Sequence, residues 1–115
     1  MKKILLVSFA VLMLFVLSSC NKLEKQIVGT WTKSVLSVTL TAVFSDGGSI
    51  TLTWGAYNTN GVYSLDDNEL TITTNDCVPV GVYTIAIDGD AMTLVKVSDD
   101  CDGRKDLLAG VFNNN

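Results

Sequence analysis

The chain contains no histidine, and only one proline and three cysteines occur among its 115 residues. Without histidine it cannot form the Ser–His or Cys–His pairs that activate many nucleophiles, nor a histidine metal site. Basic residues are also scarce, with eight Lys and Arg against twelve Asp and Glu, for a net charge of −4. An acidic protein is a poor partner for nucleic acid. We therefore expect a protein that is not an enzyme, holds no cofactor or metal and binds no nucleic acid.

Two pairs of neighbouring acids, Asp66-Asp67 and Asp99-Asp100, bear on this expectation. Adjacent residues of an extended turn point in different directions, and Asp is common in turns, so we interpret both pairs as turn residues rather than as catalytic carboxylates. A calcium site in the Asp99–Asp102 loop is left open. The EF-hand pattern that would begin at Ser98 places Ala109 where a bidentate Glu is needed.

Long apolar runs are absent except for one near the start of the chain. Lys2 and Lys3 precede fourteen almost unbroken apolar residues, Ile4 to Leu17. This run is short for a membrane span but typical of the apolar region of a signal peptide. It ends in Leu17-Ser18-Ser19-Cys20, which matches the recognition sequence of bacterial lipoproteins. The pattern predicts a cleaved lipoprotein signal peptide at residues 1–19 and acylation, for example with palmitate, at Cys20. An ordinary secretory signal is the alternative.

Cleavage would leave 96 of the 115 residues, with six basic residues against twelve acids. We expect residues 20–26 to be a lipidated tether and residues 27–115 to be one domain. The acyl chains on Cys20 would attach the protein to a membrane of the cell envelope. Asn21 is not the Asp that retains well-studied bacterial lipoproteins in the inner membrane. We therefore expect the outer membrane, with the leaflet left open.

The remaining sequence repeats a strand–turn–strand pattern. Gly61–Leu65 and Gly81–Ile85 have closely similar sequences, and each is followed by an Asp-rich turn and a second alternating segment. The pattern predicts an all-β, antiparallel up-and-down barrel of about eight short strands. We expect loops at residues 55–60 and 75–80, with Pro79 in the second, and one short helix at Arg104–Ala109.

The cysteine count supports an exported protein. Acylation of Cys20 would leave an even pair, Cys77 and Cys101, which we expect to form a disulfide between two loops at the same end of the barrel. Two free buried thiols are the alternative. A small domain of this length benefits from such a cross-link.

Several segments resemble the small lipocalin-like domains of bacterial lipoproteins, which have calycin-type barrels. The resemblance rests on Gly29-Thr30-Trp31 at the start of the first strand, on the antiparallel meander and on the closing stretch Asp99–Arg104. It implies that Trp31 packs across the barrel floor, with Arg104 as a cation–π partner. With it, we expect a non-enzymatic binding module for a small apolar ligand or a segment of an envelope protein. The alternatives are an inhibitor of a secreted hydrolase and a structural component of a surface assembly.

The aromatic residues are the candidate ligand-lining positions. Those expected to line a site are Trp31, Trp54, Tyr57, Tyr63 and Tyr83. In a barrel of this size, bulky inward side chains usually fill the interior. We therefore expect no deep cavity, and place any ligand in a shallow apolar mouth beside Trp54 and Tyr57.

Overall fold

The computed structural model describes residues 23–114. The predicted signal peptide, Cys20 and the first part of the tether lie outside the described residues, as does Asn115. Within residues 23–114, neither helical segment is long and apolar enough to cross a membrane.

Eight antiparallel strands form a closed barrel in chain order, each paired with its neighbours in sequence. The strands are β1 (Gly29–Val35), β2 (Val38–Phe44), β3 (Ser49–Trp54), β4 (Tyr57–Asp66), β5 (Glu69–Thr74), β6 (Cys77–Asp88), β7 (Ala91–Ser98) and β8 (Gly110–Asn113). One helix, α1 (Asp102–Leu108), lies between β7 and β8. The prediction of an all-β up-and-down barrel is confirmed, and the architecture is consistent with a calycin-like barrel.

Alternating polarity along the strands determines which side chains face inward. In β5, Leu70 and Ile72 are fully buried, whereas Thr71 and Thr73, which alternate with them, are partly exposed. The same alternation in the other strands fills the barrel with large side chains. Among the largest side chains that are less than 2% exposed are Trp31, Tyr83, Phe44, Phe112, Ile27, Leu40, Ile50, Leu52, Leu70, Ile72, Met92 and Leu94. The expected packed interior is therefore present.

The glycines that begin the two repeats both allow close packing. A Cβ atom on Gly61 would lie 2.0 Å from the backbone oxygen of Thr73 on the neighbouring strand. A Cβ atom on Gly81 would lie 2.6 Å from a carboxylate oxygen of Asp99. Any larger residue would push β4 away from β5 in the first repeat, or displace a buried carboxylate in the second.

Alternate turns of the meander gather at the same end of the barrel. We call one end the mouth; its segments are the turns at residues 36–37, 55–56 and 75–76 and the stretch 99–101. We call the other end the base; its segments are the turns at residues 45–48, 67–68 and 89–90 and the residues before β1. At the base, residues 23–27 form a helical turn, and the indole Nε1 of Trp31 donates a hydrogen bond to the Ile27 carbonyl at 2.8 Å. Trp31 thus packs where the chain enters the barrel.

The predicted loops are wrong in length. The turn before β4 contains only residues 55–56, and the turn before β6 only residues 75–76. Pro79 and Cys77 therefore belong to β6, the longest strand, and not to a loop. Proline is tolerated here because the ladder between β5 and β6 is irregular at this point, with a register shift between Ile72 and Thr74.

The barrel closes through its last and shortest strand. β8 pairs with β7 over four positions but with β1 only at Thr32 and Asn113. Lys33 supports this seam, because its Nζ donates to the Ala109 carbonyl at 2.6 Å and lies 5.1 Å from the centre of the Phe112 ring. This is the cation–π contact found among the described residues, rather than the expected one between Arg104 and Trp31.

Candidate binding site at the barrel mouth

An open groove of about 600 Å³ lies at the mouth, between the turns and helix α1. Its apolar lining comes from Val35, Leu36, Trp54, Tyr57, Leu107 and the pair Cys77 and Cys101. Its polar lining comes from Asp76, Asp100, Asp102, Gly103, Arg104 and Asp106. The lining therefore combines an apolar part, which we call the floor, with four carboxylates, which we call the rim.

Hydrogen bonds orient both aromatic side chains of the groove. The Trp54 indole Nε1 donates to the Val35 carbonyl at 3.1 Å, which ties β3 to the end of β1. The Tyr57 hydroxyl donates to the Asp76 carboxylate, which also accepts from Thr59 at 2.9 Å. Because their polar atoms are satisfied by the protein, both rings can offer apolar surface to a ligand.

The Tyr57–Asp76 pair has well-defined protonation states. The hydrogen bond from Tyr57 is the main reason why the pKa of Asp76 is below its ordinary value. Burial, together with the bond to Asp76, raises the pKa of Tyr57 to about 12. At neutral pH Asp76 is a carboxylate and Tyr57 is a neutral donor, which keeps a negative charge beside the groove.

Leu36 is the most unusual residue of the groove. It is 84% exposed, and its backbone has φ of +51°, followed by Ser37 with φ of +66°. Two successive positive φ values match a type I′ turn, in which Asn and Gly are preferred and Leu is strained. This side chain contributes little to the core, and its large apolar surface forms part of the groove lining.

A buried ion pair lies beside the groove, and its arginine is one of the lining residues. Arg104 Nη2 is 2.8 Å from Asp99 Oδ1, and its Nε donates to Asp99 Oδ2 at 3.0 Å. The same carboxylate accepts from the Tyr83 hydroxyl and from the backbone N–H of Cys101 at 2.9 Å. The guanidinium also donates to the hydroxyl of Thr74 and to the carbonyls of Cys77 and Pro79. This network joins β5, β6 and the start of α1, and holds the groove floor in place.

The charges of this network follow from its contacts. Burial alone would raise the pKa of Asp99, but the hydrogen bonds from Arg104, Tyr83 and Cys101 lower it below the ordinary value. The bond to Asp99 raises the pKa of Arg104. Burial and the neighbouring carboxylate raise the pKa of Tyr83. The pair is therefore ionised at neutral pH, and its two charges cancel within the barrel.

Cys77 and Cys101 are joined by a disulfide, with their Cα atoms 6.3 Å apart. The predicted pairing is confirmed. Of the two cysteines that we expected in loops, only Cys101 lies in a connecting segment, whereas Cys77 is the first residue of β6. The bond connects the start of β6 to the segment before α1 and forms part of the groove wall.

We expect reduction of this disulfide to lower the free energy of unfolding by roughly 3–3.5 kcal/mol, because the cross-link closes a chain segment of about 25 residues. Thermal unfolding with and without reductant, monitored by circular dichroism, measures the loss. The Cys77→Ser/Cys101→Ser variant should melt like the reduced protein and should not respond to reductant. Equal melting temperatures for the oxidised and reduced wild type would contradict the stabilising role.

The structure separates the predicted ligand-lining residues into two groups. Trp54 and Tyr57 line the groove, as the shallow-mouth prediction requires. Trp31 and Tyr83 are buried in the core, with exposures of 1% and 0%. Tyr63 lies at the base, in a polar cavity of about 330 Å³, and its hydroxyl donates to the Ser45 carbonyl at 2.7 Å.

Sequence reasoning missed several groove residues. Leu36 follows the mixed segment Thr32–Val35 and has no distinguishing pattern, and Asp76 belongs to a turn in which Asp is common. Leu107 has the spacing of a core residue in a short helix. Only the grouping of the turns at one end of the meander could have brought these positions together before the structure.

The structure gives no support to a calcium site in the Asp99–Asp102 loop, which the sequence left open. Among residues 23–114, no group of three or more Asp, Glu, Cys or His side chains is arranged to hold a metal ion. The Asp99 carboxylate already pairs with Arg104 and accepts a hydrogen bond from Tyr83.

The chain gives no significant match to known protein families, to characterised proteins or to solved structures. The groove therefore has to carry any functional proposal.

Proposed function

We propose that the protein is a lipocalin-like lipoprotein of the bacterial cell envelope that binds a small apolar ligand at the barrel mouth. The observation that carries this proposal is the contrast between the two spaces of the barrel. The interior is filled by side chains, whereas the mouth has an open groove of about 600 Å³ with an apolar floor. Small-molecule sites typically have volumes of roughly 300–1,000 Å³ and a largely apolar lining.

The described chain enters the barrel at one end, and this determines how an anchor at Cys20 would orient the protein. The described chain enters the barrel at the base, where Ile27 is fully buried and Glu24 shares a cavity with the turn at Asp46. An acylated Cys20 would come only three residues before Leu23. The mouth lies at the opposite end of the barrel, so an anchored protein would present the groove away from its membrane.

The two alternative functions have less support. An inhibitor that plugs the cleft of a hydrolase needs a protruding loop, whereas the mouth turns at 36–37, 55–56 and 75–76 contain two residues each. A structural component would use an exposed surface such as the valines at positions 78, 80, 95 and 97. Nothing in residues 23–114 indicates what would cover that surface.

The neutral dye N-phenyl-1-naphthylamine tests the groove. We expect the unlipidated chain from Asn21 to bind it, and the Leu36→Asn variant to bind it several-fold more weakly, because an exposed apolar side chain of the groove is lost. The same variant should be more stable than the wild type by roughly 0.5–1 kcal/mol, since Asn tolerates a positive φ better than Leu. Dye fluorescence and thermal melting measure the two effects.

Matched variants complete this test. Trp54→Ala should also weaken dye binding, whereas Val62→Thr, which changes an exposed valine on the outer face of β4, should leave it unchanged. Equal dye affinity in the wild type, Leu36→Asn and Trp54→Ala would place the dye elsewhere and remove the support for a ligand site at the mouth.

Metabolic labelling tests the anchor. Cells grown with labelled palmitate should incorporate the label into the wild-type protein and not into Cys20→Ser, because the thiol is the attachment point of the diacylglycerol group. The wild type should fractionate with outer-membrane markers. Labelling of both proteins to the same extent would exclude Cys20 as the lipidation site.

A further inference from the structure

The polar rim of the groove carries mainly negative charge. Four carboxylates line it, from Asp76, Asp100, Asp102 and Asp106. Asp100 and Asp106 are exposed, and neither makes a side-chain hydrogen bond or ion pair with the described residues. Their charges are therefore available to a ligand.

The positive groups near the groove do not balance this charge. Arg104 lies against the groove, but its charge is matched by the buried Asp99 at 2.8 Å. Lys105 lies 3.4 Å from Asp102 and offsets one of the four carboxylates. Negative charge thus exceeds positive charge by three among the residues that line the groove and their ion-pair partners.

Combining the apolar floor with this rim defines the ligand more closely. We propose that the mouth binds a small apolar molecule that carries a positively charged amino or ammonium group, with its apolar part on Leu36 and Trp54 and its cation at the carboxylate rim. This inference rests on the proposed function, because it specifies the ligand of the same groove. The volume of the groove favours a small molecule over a protein segment.

Two properties of the lining favour an ammonium group over a neutral polar one. Asp76 is held ionised beside Tyr57, so a carboxylate lies next to this aromatic ring at neutral pH. Trp54 and Tyr57 are the aromatic types that attract cations placed over their rings. An anionic ligand would have to enter the same field against repulsion.

Three compounds with one apolar body test this charge preference: 4-phenylbutylamine, 4-phenylbutan-1-ol and 4-phenylbutyrate. The chain has only two tryptophans, so the full acylated protein labelled with 5-fluorotryptophan should give two ¹⁹F signals. Phosphatidylcholine nanodiscs would carry the protein, and empty nanodiscs would correct for partition of the compounds into lipid. The Trp54 signal should shift on titration, and the Trp31 signal at the base should not.

At low salt the amine should bind about three- to tenfold more tightly than the alcohol, and the carboxylate more weakly than either. Asp100→Asn/Asp106→Asn should remove most of the preference for the amine while leaving the affinity for the alcohol unchanged. The matched control is Asp88→Asn/Asp90→Asn, which removes two carboxylates at the base of the barrel and should leave the preference intact.

The outcomes separate the two proposals. Binding of the alcohol as tightly as the amine, or an unchanged preference in Asp100→Asn/Asp106→Asn, would overturn the cationic ligand and leave an apolar site in place. If none of the three compounds shifts the Trp54 signal, the ligand site itself is wrong. Loss of the amine preference in 0.5 M salt, with the alcohol unaffected, would support the carboxylate rim as its source.

Discussion

The Arg104→Met variant should unfold with a free energy about 3–5 kcal/mol lower than that of the wild type at pH 7. Removing the guanidinium leaves the Asp99 carboxylate buried without its ion-pair partner, which is one of the costliest changes inside a protein. It also leaves the hydroxyl of Thr74 and the carbonyls of Cys77 and Pro79 without their donor. Urea denaturation followed by tryptophan fluorescence measures the loss.

The pH dependence of the stability difference between the wild type and Arg104→Met tests whether the charge on Asp99 causes the loss. Since the folded-state pKa of Asp99 is lowered, its contribution to stability is present above the ordinary pKa of about 3.9 and is lost as the pH falls through the folded-state value. In Arg104→Met, burial without the guanidinium should instead raise the pKa of Asp99. The stability difference between the two proteins should therefore narrow as the pH decreases below about 5.

A double-mutant cycle gives the control. Asp99→Asn/Arg104→Met has no buried charge and should be more stable than Arg104→Met alone, because the unpaired carboxylate is gone. A difference between wild type and Arg104→Met that stays below 1 kcal/mol, or that does not change with pH, would contradict the assigned role of the pair.

The buried pair also shows what the sequence could not predict. Arg104 was expected to cover Trp31, because both are features of the lipocalin-like resemblance, but the two lie at opposite ends of the barrel. Trp31 donates a hydrogen bond to the Ile27 carbonyl at the base, and Arg104 forms an ion pair with Asp99 near the mouth. Asp99, which pairs with the buried arginine, lies in a turn-like sequence. No local pattern distinguishes it from its exposed neighbour Asp100.

The strands were predictable for a physical reason that does not extend to the site. A period of two in polarity is repeated along most of the strand length, so the barrel and its inward residues follow from local sequence. The predicted ends of the strands are less accurate near the mouth. Asn58 and Asn60 lie in β4 and Pro79 lies in β6, although all three residue types are typical of loops. Pairing with a neighbouring strand overrides local preference there.

The groove depends on contacts between segments that are distant in sequence. Leu36 and Asp76 come from two mouth turns, Trp54 from the end of β3 and Leu107 from helix α1. The prediction of an apolar mouth beside Trp54 and Tyr57 was reached from the expected packing of the interior. The carboxylate rim could be recognised only from the fold, because its residues come from a mouth turn and from the segment and helix that follow β7.

Replacing Trp31 with Ala should lower the free energy of unfolding by about 3–5 kcal/mol without removing the binding site. Trp31 is 1% exposed, so the change creates a large cavity, and it leaves the Ile27 carbonyl without its donor. Trp31→Phe keeps most of the ring volume and should cost less, mainly the lost hydrogen bond of about 1–2 kcal/mol. Calorimetric melting measures both losses.

The matched comparison is Trp54→Ala at the other end of the barrel. Trp54 is only partly buried, so its loss should cost less stability than that of Trp31 but should weaken binding of N-phenyl-1-naphthylamine. Trp31→Ala, measured at a temperature where it is fully folded, should bind the dye as the wild type does. We expect these opposite effects because Trp31 is packed in the core near the base, whereas Trp54 lines the open groove at the mouth. A folded Trp31→Ala protein that no longer binds the dye would instead place the ligand inside the barrel.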